Sequence, residues 1–200
     1  TLDLDDLSTI NSFLNTQTEV EAHSAVITTH AMASKGVVYS NSQLNADEQR
    51  KNRVKGVIVK SQEWESNNLP TNYQELIVDG TGNLKDSQDA VIGDKLAKYL
   101  NVQLGDRIRI ISPANMRFTL FGLKTGELQV NIVGMYRSGI YETDSKIIFL
   151  NERTVRELIG SNSARDDFSF VEIRVSEEYV DEVNTLTDKW SNLLQFRYQF

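Results

Sequence analysis

Residues 91–144 limit what this chain can fold into more tightly than any other stretch. They pass from helical spacing to strict alternation and then place apolar residues where a loop should be polar. Leu96, Ala97 and Leu100 share one face of a short helix, with Asp94 standing as its N-cap. Gly105-Asp106 makes a turn into an alternating strand over residues 107–111, and residues 128–133 form a strand able to pair back with it. The insert between them, residues 114–126, is too long for a tight turn. Pro113 cannot donate a ladder hydrogen bond and marks the exit from the sheet, while Gly122 and Gly126 permit turns. The insert carries Phe118, Leu120, Phe121 and Leu123. Left in water, such side chains cost about 25 cal/mol per Å2 of apolar surface. Either the insert folds back over its own core, or it is a protein-docking prong anchored by Phe121 and its neighbours. Arg117 and Lys124 flank the anchors, placed to grip carboxylates.

The rest of the chain reads as helix and strand at both ends around a strand-rich centre. Residues 3–15 fit a helix through Leu7, Ile10 and Leu14, with Asp3, Asp5 and Asp6 at its positive end. A strand is expected over residues 20–32, another over 36–39 and a return strand over 53–60, with Gly56 as a bulge and residues 41–52 as the loop. Residues 61–89 are least regular, with Pro70 and the turn signals Asp79-Gly80 and Thr81-Gly82. Further strands are expected over 90–92, 130–135 and 146–150. A helix starting at or just after Asn151 buries Val155, Leu158 and Ile159 and stops at Gly160. After a polar loop over 161–167 comes a strand over 168–175. A last helix, N-capped by Ser176, should bury Val180, Val183, Leu186, Trp190 and Leu194.

Charge and composition exclude some functions. The net charge of −7 argues against a nucleic-acid partner, which needs a basic face to neutralise phosphates. With no cysteine, the chain has no disulfide frame, thiol nucleophile or cysteine zinc site. No run of about 18 apolar residues is present to span a bilayer. The abrupt, apolar end SNLLQFRYQF suggests a piece of a longer protein.

No chemistry stands out. His23 and His30 are an odd number apart in one expected strand, so they should face opposite ways and share no metal. The acidic clusters Asp3/Asp5/Asp6, Asp47/Glu48, Asp166/Asp167 and Glu177/Glu178 suit helix starts and solvated loops better than a catalytic pair. Asp79-Gly-Thr-Gly lacks the flanks of an aspartic protease motif. No phosphate loop or Gly-x-Ser-x-Gly elbow occurs. No catalytic, cofactor-binding or metal-binding residue is assigned.

The strings IGDKLAKYLNVQLGDRIRIISP and IVGMYRSGIYETDSKIIFLN resemble the periplasmic domains of LolC/LolE-type permeases, the membrane subunits of lipoprotein-releasing ABC transporters. TEVEAHSAVITTHAMAS, RVKGVIVKS and LQFRYQF resemble further stretches of the same family, so the likeness covers most of the chain. It implies an α+β, MacB-like periplasmic domain. Residues 1–60 and 150–200 would form a discontinuous Porter-like subdomain, and 61–149 a mostly β, Sabre-like one bearing a hook hairpin over 113–128. The insert FTLFGLKTGELQVNIVG is similar to the LolC hook, which captures the soluble carrier LolA. The resemblance places Phe118, Thr119, Leu120, Phe121, Gly122 and Leu123 in the hook, with Leu120 and Phe121 at its tip. Arg117, Lys124, Glu127 and Leu128 would form a supporting pad, although Glu127-Leu128 replaces a polar, basic pair. The implied partners are LolA, a LolD-type ATPase, a LolE-like or identical second permease, and outer-membrane lipoproteins. The implied place is the periplasmic face of a Gram-negative inner membrane, reached through flanking transmembrane helices outside this sequence. A MacB-like efflux or mechanotransmission domain that binds a periplasmic adaptor or substrate is the alternative.

Overall fold

The computed structural model describes residues 2–36, 53–62, 69–120, 122–160 and 168–193. Helix α1 (Leu4–Leu14) begins at Asp3, whose carboxylate accepts from the Asp6 amide at 2.8 Å. It buries Leu7, Ile10 and Leu14. The strand expected over 20–32 is instead two, β1 (Val20–Val26) and β2 (Thr28–Ser34), which enter different sheets. The break falls at buried Ile27. Its amide donates to Ser61 Oγ and its carbonyl accepts from the Ser61 amide, both at 2.8 Å. A contact from 34 residues away therefore holds the crossing point, where the local sequence carries no turn signal.

Strand β3 (Val54–Ser61) pairs antiparallel with β2 in unbroken register through Met32↔Gly56. Gly56 is therefore an ordinary strand residue and not a bulge. Its α-carbon faces open space, so nothing there forces the ladder to step. A 3-10 turn at Tyr73–Leu76 leads into β4 (Ile77–Gly80), followed by β5 (Asp89–Gly93) and α2 (Asp94–Leu100). Gly93, not Asp94, is the N-cap of α2, and Asp94 is buried in its first turn. Next come β6 (Arg107–Thr119), β7 (Gly122–Tyr136), the unforeseen α3 (Tyr141–Lys146), β8 (Ile147–Leu150), α4 (Glu152–Ile159) and β9 (Phe170–Val175). Helix α4 is capped as its sequence requires. Asn151 Oδ1 accepts from the Thr154 amide at 2.8 Å, and Gly160 closes the helix at φ +68°.

The tail differs from expectation. Ser176 makes no side-chain cap, and a 3-10 turn at Glu177–Glu182 precedes α5 (Val183–Leu193). The tighter turn advances three residues per turn, which breaks the phase of the expected stripe. Leu186 and Trp190 are buried, whereas Val180 and Val183 are exposed. The expected elements over 37–39, 41–52 and 161–167, and Leu194, lie outside the described residues.

Among the described residues, seven strands form one sheet in the order β4-β7-β5-β8-β3-β2-β6, and β6 pairs back onto β7. Six of them therefore close a ring, with β4 attached to the far end of β7. Strand β5 is buried on both faces. Ala90 and Ile92 join the main core with Ile108, Ile110, Val130 and Ile132, while Val91 packs in a smaller cluster with Tyr136 and Phe149. Strands β1 and β9 make a separate antiparallel ribbon, from Val20↔Val175 to Val26↔Phe170, that joins the two ends of the chain. The large sheet thus takes β2 and β3 as well as the central strands, and the division expected at residue 60 falls within β3. No helix among the described residues is long and apolar enough to cross a membrane.

Candidate functional site: a rooted hairpin prong

Strands β6 and β7 begin inside the core. Arg107↔Asn131 through Ser112↔Gly126 pair in register, and Ile108, Ile110 and Val130 are at most 1 % exposed. The register then shifts. Residues 113–116 on β6 face the single residue Thr125 on β7, after which Arg117↔Lys124, Phe118↔Leu123 and Thr119↔Gly122 resume the ladder. The insert is thus not a long loop. Both strands run through it as far as Thr119 and Gly122, and the surplus length is absorbed as a bulge near the root.

Ser112 and Pro113 explain the bulge. Pro113 has no amide to offer the ladder. The hydroxyl of fully buried Ser112 donates to the His30 carbonyl at 3.3 Å and accepts from the Ala114 amide at 3.2 Å, with Thr29 Oγ1 also at 3.2 Å. It therefore ties the bulged strand to β2 where the hairpin leaves the sheet. Two glycines seat the root against the C-terminal turn of α4. A β-carbon on Gly126 would stand 2.1 Å from the Leu158 carbonyl oxygen, and one on Gly160 would stand 2.3 Å from the Asn115 side chain. Gly126 admits no larger residue without moving the helix from the hairpin, and a side chain at Gly160 would displace that of Asn115.

At the far end Leu120 is 100 % exposed, and Met116 on the bulge is 48 % exposed. Phe121 lies outside the described residues. Phe118, Thr119, Gly122 and Leu123 take their places in the ladder, where Gly122 starts β7 opposite Thr119. Arg117 stands opposite Lys124 on the hairpin. Glu127 lies at the root, where it forms an ion pair with Arg109. Leu128 is partly buried against the main core.

A second polar constellation gave no sequence signal, because its members lie 43 residues apart. Asp94 Oδ2 accepts from Arg137 Nε at 3.0 Å and pairs with Arg137 Nη2 at 2.9 Å and Lys98 Nζ at 3.2 Å. Burial pushes the Asp94 carboxyl up, but hydrogen bonds and charge from Arg137 and Lys98 together hold it below the usual carboxylate range. The cluster lines an open groove of about 670 Å3 with Val78, Leu104 and Met135. Next to it, Asp144 accepts from the Ser138 amide at 2.8 Å and hydroxyl at 2.7 Å, closing the turn into α3. This accounts for the Ser-Gly-Ile-Tyr-Glu-Thr-Asp string.

The two histidines lie in different sheets. His23, on β1, has its pKa lowered by burial and contacts Asn15 Oδ1 at 3.1 Å. His30 is exposed on β2. Among the described residues no group of three His, Cys, Asp or Glu could hold a metal ion. Asp79 is exposed on the edge strand β4.

No protein-family model matches the chain, and no curated protein matches it in sequence. Solved structures do match. The extracellular domain of the noncanonic ABC-type transporter YknZ from Gram-positive bacteria is similar at a TM-score of 0.50 and 14 % identity, covering 93 % of this chain and 78 % of that one. The periplasmic region of MacB from Actinobacillus actinomycetemcomitans matches at a TM-score of 0.46 and 13 % identity, over 96 % and 74 %. At these identities the likeness is one of fold. The chain has the α+β, sheet-dominated fold of the YknZ extracellular domain.

Proposed function

We propose that this chain is the non-catalytic, extracytoplasmic domain of an ABC transporter permease. On this reading its hairpin docks a LolA-type carrier, so that lipoproteins pass from the inner membrane towards the outer one. The domain would stand on the periplasmic face of the inner membrane of a Gram-negative bacterium. A LolD-type ATPase and a LolE-like or identical second permease would complete the transporter. The observation that carries the reading is Leu120, fully exposed at the end of a hairpin rooted in the core. Burying a leucine is worth about 1.5–3 kcal/mol. A partner with an apolar cavity recovers that free energy, and water does not. The fold shared with the YknZ extracellular domain supports the wider assignment to an ABC transporter.

The same likeness favours a second reading, an efflux or mechanotransmission domain of MacB type that binds an adaptor or substrate. Calorimetry with the cognate LolA-type carrier separates the two. Leu120→Asp or Phe121→Asp should abolish binding while circular dichroism stays unchanged. Unchanged affinity would remove the carrier from the account and leave the second reading.

A further inference from the structure

The groove beside Asp94 combines apolar walls with a basic helix face, and neither feature serves the prong. Met135 lines it from β7, Val78 is 49 % exposed on the edge strand β4, and Leu104 is 36 % exposed on the turn after α2. Apolar side chains gathered in a concavity mark a binding site, which a single exposed leucine does not. The exposed face of α2 is basic. Lys95, Lys98 and Tyr99 stand at i, i+3 and i+4, and all three are exposed. The start of β3 extends this face. Arg53 Nη1 donates to the Tyr99 carbonyl at 2.9 Å, and Lys55 Nζ lies 4.9 Å from the centre of the Tyr99 ring. The carboxylates of this region are largely committed. Asp94 is buried and gives Oδ2 to both Arg137 and Lys98, and Asp106 pairs with Lys35 at 2.8 Å. The side chains of Arg137 and Lys98 are still 54 % and 66 % exposed, so both keep donors for a ligand. In a chain of net charge −7, such a concentration of positive charge attracts an anionic partner. Asp79, on β4, is the exception in the lining. A bilayer surface is flat and uniformly negative, so it would meet Asp79 and could not fill the groove. A protein segment can turn its carboxylates towards α2 and an apolar side chain inward.

We propose that this groove docks an acidic segment of a partner protein. A large apolar side chain of the segment enters between β4 and α2, and its flanking carboxylates pair with Lys95, Lys98 and Arg137. The site is separate from the prong and rests on neither reading of it.

The test titrates the isotope-labelled 200-residue chain with the peptide acetyl-Glu-Glu-Trp-Leu-Glu-Glu-amide, followed by NMR at about 50 and about 300 mM NaCl. Amide shifts should be confined to α2, β4 and the end of β7, and affinity should fall about tenfold between the two salt concentrations. A counterpart with lysine for every glutamate, and another with serine for tryptophan and leucine, should each bind at least about tenfold more weakly. Lys95→Glu, at an exposed position, should weaken binding about tenfold and leave the melting temperature unchanged. Val78→Ser should weaken it while keeping its salt dependence. Leu120→Asp should bind the peptide as wild type does, which keeps this site distinct from the prong. The absence of shifts at about 1 mM peptide, equal binding of the lysine counterpart, or wild-type affinity in Lys95→Glu would overturn the proposal. Loss of binding in Leu120→Asp would also overturn it, by moving the peptide to the prong. Salt-sensitive binding to phosphatidylglycerol vesicles, lost in Lys95→Glu and unaccompanied by peptide shifts, would overturn it in favour of lipid headgroups.

Discussion

The two ends of the β6–β7 ladder are built from similar residues and meet opposite fates. At the root, Ile108, Ile110, Val130 and Ile132 are sealed in the main core. At the tip, Leu120 is wholly in solvent. The change is made between Ser112 and Arg117, where Pro113 leaves the ladder and the bulge turns round the end of α4. Exposed apolar residues at the end of a well-anchored element differ from a core that has failed to close. The root supplies the fold, which frees the tip from any structural duty.

The contrast can be broken most directly at the root. Ile110→Ala should cost about 2–5 kcal/mol in urea unfolding, whereas Leu120→Ala should stay within about 0.5 kcal/mol of wild type. A loss above about 1 kcal/mol at Leu120 would mean that the tip packs on its own domain. Gly126→Val comes next. Its side chain would meet the Leu158 carbonyl, and we expect about 1–3 kcal/mol of destabilisation by overpacking. Thermal melts would show a fall of several degrees, and no fall would remove α4 as the seat of the hairpin. Ser112→Ala deletes the bond to the His30 carbonyl and strands the Ala114 amide, at a cost of about 1–2 kcal/mol. Its urea midpoint should fall, with the slope of the transition unchanged.

The smallest effect lies at the other end of β7, where Arg137 holds Asp94. The folded state keeps this carboxyl below its ordinary range, so the unfolded chain takes up the proton more readily. The resulting stability is present above the ordinary carboxylate range and is lost as pH falls through the folded value. Asp94→Asn should flatten that part of the stability profile measured between neutral and acid pH. An unchanged slope would show that Asp94 does not couple the end of β7 to α2.

What could be read ahead of the structure follows from how far each signal reaches along the chain. Asp3, Asn151 and Gly160 act within a turn of their helices, so α1 and α4 fall where residue types place them. Alternation likewise marked the root strands. The break at Ile27 depends on Ser61, the position of Asp94 on Arg137, and the salt bridge of Glu127 on Arg109, all distant in sequence. The prong was visible as an apolar insert, but its shape was not. Gly122 and Gly126 both look like turn residues. Gly126 is instead small because a helix carbonyl lies against it, and Gly122 is paired in the ladder. The length that suggested an open loop is taken up by the bulge at residues 113–116.

The central claim is that the hairpin tip meets a partner and not its own domain. A photo-crosslinking amino acid at position 120 of the full-length protein, activated in cells, tests it most directly. A cross-link to a soluble, LolA-type periplasmic carrier is expected, lost when Phe121→Asp is introduced. A cross-link confined to the protein itself, with the carrier present at normal levels, would contradict it.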